Sequence, residues 1–210
     1  MPTPFNNYET MRDQMASAFL RYDQEAMIEK FSLRYDANFL YIRFVGREYR
    51  IDRHTGAVSW EDTDSKTVHP ADYNSAMTIY DVLCCSKENC RASGEMVSIE
   101  SCASVQGGSL SSQNRSFFQH AADCFDKDPA VLSAACESLG GARLARGDVA
   151  YQLNLFDFLP VSIAFWHSDE EFPASLQILV DRNILDFMHY ETAMFALSHL
   201  MERLEALCSR

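Results

Sequence analysis

Positive charge is what this sequence has least of. Its 210 residues carry 18 Lys+Arg against 30 Asp+Glu, a formal net charge of −12. That deficit argues against nucleic acid and anionic membrane surfaces, both of which need clustered cations to displace counterions. Neither partner is expected. Long apolar runs are also missing, and none approaches the ~18 residues of a membrane span. The opening Met1-Pro-Thr-Pro-Phe-Asn-Asn has no basic and apolar signal pattern, so a cytoplasmic protein is expected. Disorder is excluded from the other side, because 47% of the residues are hydrophobic.

The cysteines lack a pairing pattern. There are seven: Cys84, Cys85, Cys90, Cys102, Cys124, Cys136 and Cys208. An odd number without a signal reads as a reduced chain. Zinc and iron–sulfur sites usually take two thiolates from one C-x2-C turn, and no such pair exists here. Cys84-Cys85-x4-Cys90-x11-Cys102 is the one spacing worth testing for metal, although adjacent Cys84 and Cys85 point in different directions on a helix. No stoichiometric metal and no cofactor are expected. Cys124 and Cys136 sit among alanines and read as core. The Asn114-Arg115-Ser116 sequon has no meaning in a reducing compartment.

Catalytic signatures are missing as well. There is no Gly-x-Ser-x-Gly elbow, P-loop, Gly-x-Gly-x-x-Gly turn or His-Glu-x-x-His. The histidines at 54, 69, 120, 167, 189 and 199 never pair with each other at helical spacing. Gly107-Gly108-Ser109 could cradle an anion with its amides, but it reads more simply as loop.

What is present is regular secondary structure. Tyr8, Met11, Met15, Phe19, Tyr22 and Ala26 recur at three and four residues, which predicts one helix over about 7–30, capped by Asn6 with Glu9 as its capping-box acid. Residues 39–60 alternate as a meander of strands, turning at Asp52-Arg53-His54-Thr55-Gly56. Residues 61–66 read as a loop. Pro70 is placed in the first turn of a helix bearing Tyr73, Met77, Tyr80 and Cys84. Residues 86–114 form a polar excursion with a short strand near Met96. Helices follow over about 118–125 and from Asp128-Pro129 to Gly140-Gly141. Three alternating strands, 149–155, 161–165 and 176–180, have short connections that favour antiparallel pairing. A last helix carries Leu197, Leu200, Met201 and Leu204 on its apolar side. Strands and helices cluster instead of alternating. The expectation is a single α+β domain over 1–210, with an N-terminal meander, a C-terminal antiparallel sheet and about five helices.

One segment stands apart. Trp166-His167-Ser168-Asp169-Glu170-Glu171-Phe172-Pro173 joins two strands, with three consecutive carboxylates between flat apolar rings. Crowded carboxylates suit acid–base work or a cation, and loops on rigid strands are where binding groups sit. The candidate binding residues are Trp166, Asp169, Glu170, Glu171 and Phe172, joined by Asp148 and Asp181 at neighbouring strand edges. At least one carboxylate of Asp169-Glu170-Glu171 is expected to turn inward, onto backbone amides or an arginine, with Arg146 and Arg182 as the candidate arginines.

Gly140-Gly141, Gly147-Asp148-Val149-Ala150, Leu159-Pro160-Val161, Trp166-x-x-Asp169-Glu170-Glu171-Phe172-Pro173-Ala174-Ser175 and Ile178-Leu179-Val180-Asp181 together resemble a bacterial and archaeal domain family whose function is not established. Phe44-Val45-Gly46-Arg47-Glu48-Tyr49-Arg50-Ile51 is similar to that family's N-terminal strand pair. The resemblance implies a setting in anaerobes, near low-potential redox or corrinoid metabolism, because some members carry an added iron–sulfur domain. It supplies no catalytic residues. The chain departs from the pattern in lacking that Cys-rich domain, in Phe158 before Pro160, and in its Cys84–Cys102 region. The leading reading is a binding or accessory domain for an unidentified protein or small molecule. An enzyme using Asp169, Glu170 and Glu171 is the alternative, and a thiol or metal module using Cys84, Cys85, Cys90 and Cys102 is a third.

Overall fold

The computed structural model describes residues 7–62, 64–102 and 111–209, without the side chains of residues 7 and 111–117. The Asn6 cap and the Gly107-Gly108-Ser109 loop lie outside the described residues, as do the side chains of the 114–116 sequon. The chain runs α1 (Asn7–Phe19), α2 (Gln24–Phe31), β1 (Arg34–Tyr35), β2 (Phe39–Phe44), β3 (Arg47–Asp52), β4 (Val58–Glu61), β5 (Val68–Pro70) and α3 (Tyr73–Cys85). It continues through β6 (Met96–Val97), α4 (Ile99–Cys102), α5 (Ser111–Phe125), α6 (Pro129–Ser138), β7 (Ala142–Arg143) and β8 (Val149–Phe156). It ends with β9 (Leu159–Trp166), β10 (Ser175–Asp181), α7 (Ile184–Phe187) and α8 (Tyr190–Cys208). The class is α+β.

The meander and the C-terminal strands are one sheet. Its order is β5-β4-β3-β2-β8-β9-β10-β6, with β1 on β2 and β7 on β8. Every pairing is antiparallel. The seam is narrow. Phe44 of β2 faces Phe156 of β8, their rings stack at 4.9 Å, and the Val45 amide donates to Leu155 O at 2.8 Å. Sequence alternation could not show this join, because each half reads as a complete sheet.

The inner face of the meander carries Leu40, Ile42, Phe44, Tyr49, Ile51 and Val58, all buried. α3 lies over it: Tyr49 reaches Ser75, and the Tyr80 hydroxyl donates to Gly56 O at 2.7 Å. Gly56 is required there. Its φ is +75°, and an added Cβ would lie 2.1 Å from Ala16 O of α1. Strand β9 is the centre of the second half, with Val161, Ile163 and Phe165 fully buried. α8 buries Leu197, Leu200, Met201 and Leu204 completely, against α3, α5, α6 and β8.

Two predicted elements differ. The helix expected over 7–30 is two helices, because Asp23 turns its carboxylate onto the amides of Glu25 and Ala26 and caps a new start. Arg53, in the turn before β4, then holds Gln24 by a two-way hydrogen bond. Pro70 closes β5 opposite Ser59, where a missing N–H is tolerated at a sheet edge. Asp72 caps α3 instead, accepting from the Ser75 amide at 2.8 Å. Eight helices therefore stand among the described residues where about five were expected. No described helix is long and apolar enough to cross a membrane.

Candidate functional site

The acidic loop is organised by its own backbone. Asp169 Oδ1 accepts the amides of Glu171 and Phe172, both at 2.8 Å, and these two bonds lower its pKa. This is a side-chain turn, which bends the segment away from the extended path. Glu170, Glu171 and Phe172 are exposed, and among the described residues no hydrogen bond or ion pair engages either glutamate side chain. The loop is anchored from outside by Asp126, at the end of α5. It accepts from the Ser168 amide and hydroxyl at 2.9 and 2.6 Å and meets His167 Nδ1.

The two arginines go elsewhere. Arg146 lies 5.6 Å over the Trp166 ring, and Arg182 forks onto Glu95. Asp148 does approach the loop, accepting from the His167 amide at 2.7 Å. Asp181 does not. Antiparallel pairing puts Ser175 beside Trp166, so Asp181 ends β10 roughly 20 Å away along the strand. It is fully buried and accepts from Ser93 N and Oγ, Gly94 N and Asn183 N at 2.8–3.0 Å. A cavity of about 510 Å³ does lie beside Trp166, against Arg146, Phe118, Gln119, Leu176 and Glu100. None of the three loop carboxylates lines it.

A cleft of about 950 Å³ lies between α2 and the C-terminal end of α3. Tyr22, Lys30, Cys84, Asn89, Cys90 and Arg91 are among its walls. Two of the four cysteines in the predicted metal spacing thus share a cleft. Cys102 is set apart near Arg182 and Asp181. All seven cysteines are free thiols.

Cys85 turns away from Cys84, as helical geometry demands, and meets Asp81 and His189. Asp81 is one turn earlier on α3 and buried; His189 immediately precedes α8. Asp81 Oδ2 accepts the His189 amide at 2.8 Å, and Asp81 Oδ1 faces His189 Nδ1 at 2.7 Å. The Cys85 thiol hydrogen-bonds to Asp81. One donor atom from each of the three residues lies within 4.8 Å of the others. Tyr22, in the cleft wall, is close enough to both thiols for their charge to raise its pKa.

A thiol, an imidazole and a carboxylate invite two chemistries. An activated nucleophile needs a depressed thiol pKa. Here burial, then the charge of Asp81 and its hydrogen bond, push the Cys85 thiol up. Burial, Cys85 and Asp81 push Cys84 up to about 12. That environment suits a thiol that ionises only against a cation. Sulfur, nitrogen and oxygen donors at this spacing suit a zinc-like ion, bound at about 2.0–2.3 Å. Asp81 and Cys85 carry a sequence signal, i and i+4 on one helix. His189 carried none, being 108 residues away from Asp81.

The profile of a family described as a domain of unknown function (DUF3786) matches residues 23–203. The chain belongs to this family. The DUF3786 match runs from the cap of α2 into the last turns of α8 and contains the cleft, Asp81, Cys85, His189 and the acidic loop. No curated protein and no solved structure matches the chain.

Proposed function

We propose that this DUF3786 chain is a binding domain whose cleft between α2 and α3 takes a small polar ligand, and that Asp81, Cys85 and His189 beside it hold a zinc-like divalent cation. The convergence of those three donors within 4.8 Å carries the reading. Three protein donors leave a tetrahedral ion one position for water or ligand, the arrangement of an open site. Cys85 and His189 are exposed, so that position faces solvent. A dication would take the place of the direct Asp81–His189 contact and draw the thiol proton off Cys85. This departs from the expectation of no metal, which rested on the missing C-x2-C pair; here the donors come from two separate elements. The low-potential redox or corrinoid setting stays part of the proposal on the strength of the family resemblance.

Cobalt(II) is the probe. One equivalent is expected to bind at Asp81, Cys85 and His189 with thiolate-to-cobalt absorption, beyond any cobalt held elsewhere in the chain. Cys85→Ser and His189→Ala each remove that equivalent, or weaken it by about 100-fold, with the fold retained by circular dichroism. Cobalt stoichiometry and absorption identical in the chain and in both folded variants would overturn the reading.

A further inference from the structure

A second set of donors lies at the opposite end of α8. His120 and Cys124 stand four residues apart on α5, so one face presents both, with Cys124 Sγ 3.9 Å from His120 Nε2. Glu205, in the last turn of α8, brings a carboxylate oxygen within 4.8 Å of both. Cys208 follows Glu205 by three residues, on the same helical face. It lines the same cavity of about 230 Å³ as Cys124 and Glu205. Cys124, Glu205 and Cys208 thus line one space large enough for an ion, and His120 stands at its edge, within 4.8 Å of the Cys124 and Glu205 donor atoms.

A separate observation points to a cation. Cys124, Glu205 and Cys208 sit in the last turns of α5 and α8, where each helix dipole presents partial negative charge. Neither helix has a basic residue in its last turn to compensate it. Asp128, the cap of α6, lines the cavity and adds to the negative field; Lys127 is the cation in the same wall.

We propose that His120, Cys124 and Glu205 bind a thiophilic divalent cation, zinc by ligand class, and that Cys208, in the wall of the same cavity, closes on it as the fourth donor, fastening α5 to the last turn of α8. The inference is independent of the Asp81–Cys85–His189 site and differs in kind. Four protein donors leave no open position, so the role is structural. The exchange balances: the ion binds two thiolates, one carboxylate and a neutral imidazole, and two thiol protons leave to solvent. Glu205 and Cys208 lie beyond residue 203, where the family match ends. The clamp therefore ties the C-terminal turn back to the matched fold.

Zinc chloride added to the chelator-treated full chain tests this without any variant. One equivalent at this site is expected to slow iodoacetamide alkylation of Cys124 and Cys208 together by at least tenfold, read peptide by peptide by mass spectrometry. Cys124→Ser and Cys208→Ala are each expected to abolish that protection at the remaining thiol and lower zinc affinity by about 100-fold. In Cys85→Ser the protection persists, so failure of the first site leaves this result readable. Alkylation of Cys124 and Cys208 unchanged by zinc would overturn the proposal. So would protection of only one of them.

Discussion

Asp181 shows how much one buried carboxylate can organise. Burial opposes its charge, yet the amides of Ser93, Asn183 and Gly94 outweigh that penalty and lower its pKa. It thereby stitches the 93–94 turn to the end of β10. Asp181→Ala strands those donors and is expected to cost roughly 2–4 kcal/mol in urea unfolding. The folded pKa is depressed, so this contribution is fully present above the unfolded value near ~3.9 and is lost as pH falls through the folded one. His199 gives the second pH effect. It is buried, stacked on Phe44 at 4.9 Å, with Ser75 at Nδ1. Burial lowers its pKa to about 4, Asp72 opposing and Arg203 and Arg47 assisting. Between pH ~6.5 and about 4 the unfolded chain takes up a proton that the folded one refuses. Stability is therefore complete above ~6.5 and declines as pH falls through that window. His199→Phe keeps the stacking and should flatten that part of a stability–pH curve; an unchanged slope would contradict the assignment.

At the scale of elements, periodicity is most reliable where one face is buried. The α8 face at 197, 200, 201 and 204 lies at 0% exposure, and Leu200→Ala is expected to lower stability by ~2–5 kcal/mol. An unfolding midpoint that does not move would contradict the packing. The same periodicity hid the break at Asp23, because Phe19 and Met27 are both buried on either side of it and apolar spacing alone carries no record of a cap. The acidic loop was legible as unusual but not in its role. Repulsion among three carboxylates predicts a partner for at least one of them, backbone amides or an arginine; Asp169 takes two amides within its own turn, Arg146 and Arg182 go elsewhere, and Asp126 does the anchoring. Asp126 gave no signal, since its partner Ser168 is 42 residues away.

Taken as a whole, the molecule is one twisted antiparallel sheet joined at Phe44 and Phe156, with its helices bringing distant donors together. The fold class was readable because each strand and helix declares its own face. The candidate sites were not, because they form between elements. α3 and the turn before α8 make one; α5 and α8 make the other. Cys124, read as core, is half-buried beside His120. The helical donor pair here is a histidine and a cysteine, His120 and Cys124, at the spacing a histidine pair would take. Zinc-edge anomalous diffraction from crystals of the zinc-loaded chain tests the central claim most directly. A peak at about 2.0–2.3 Å from Asp81, Cys85 and His189 is the expected result. An Asp81–His189 pair still closed at 2.7 Å, with no peak beside Cys85, would contradict it.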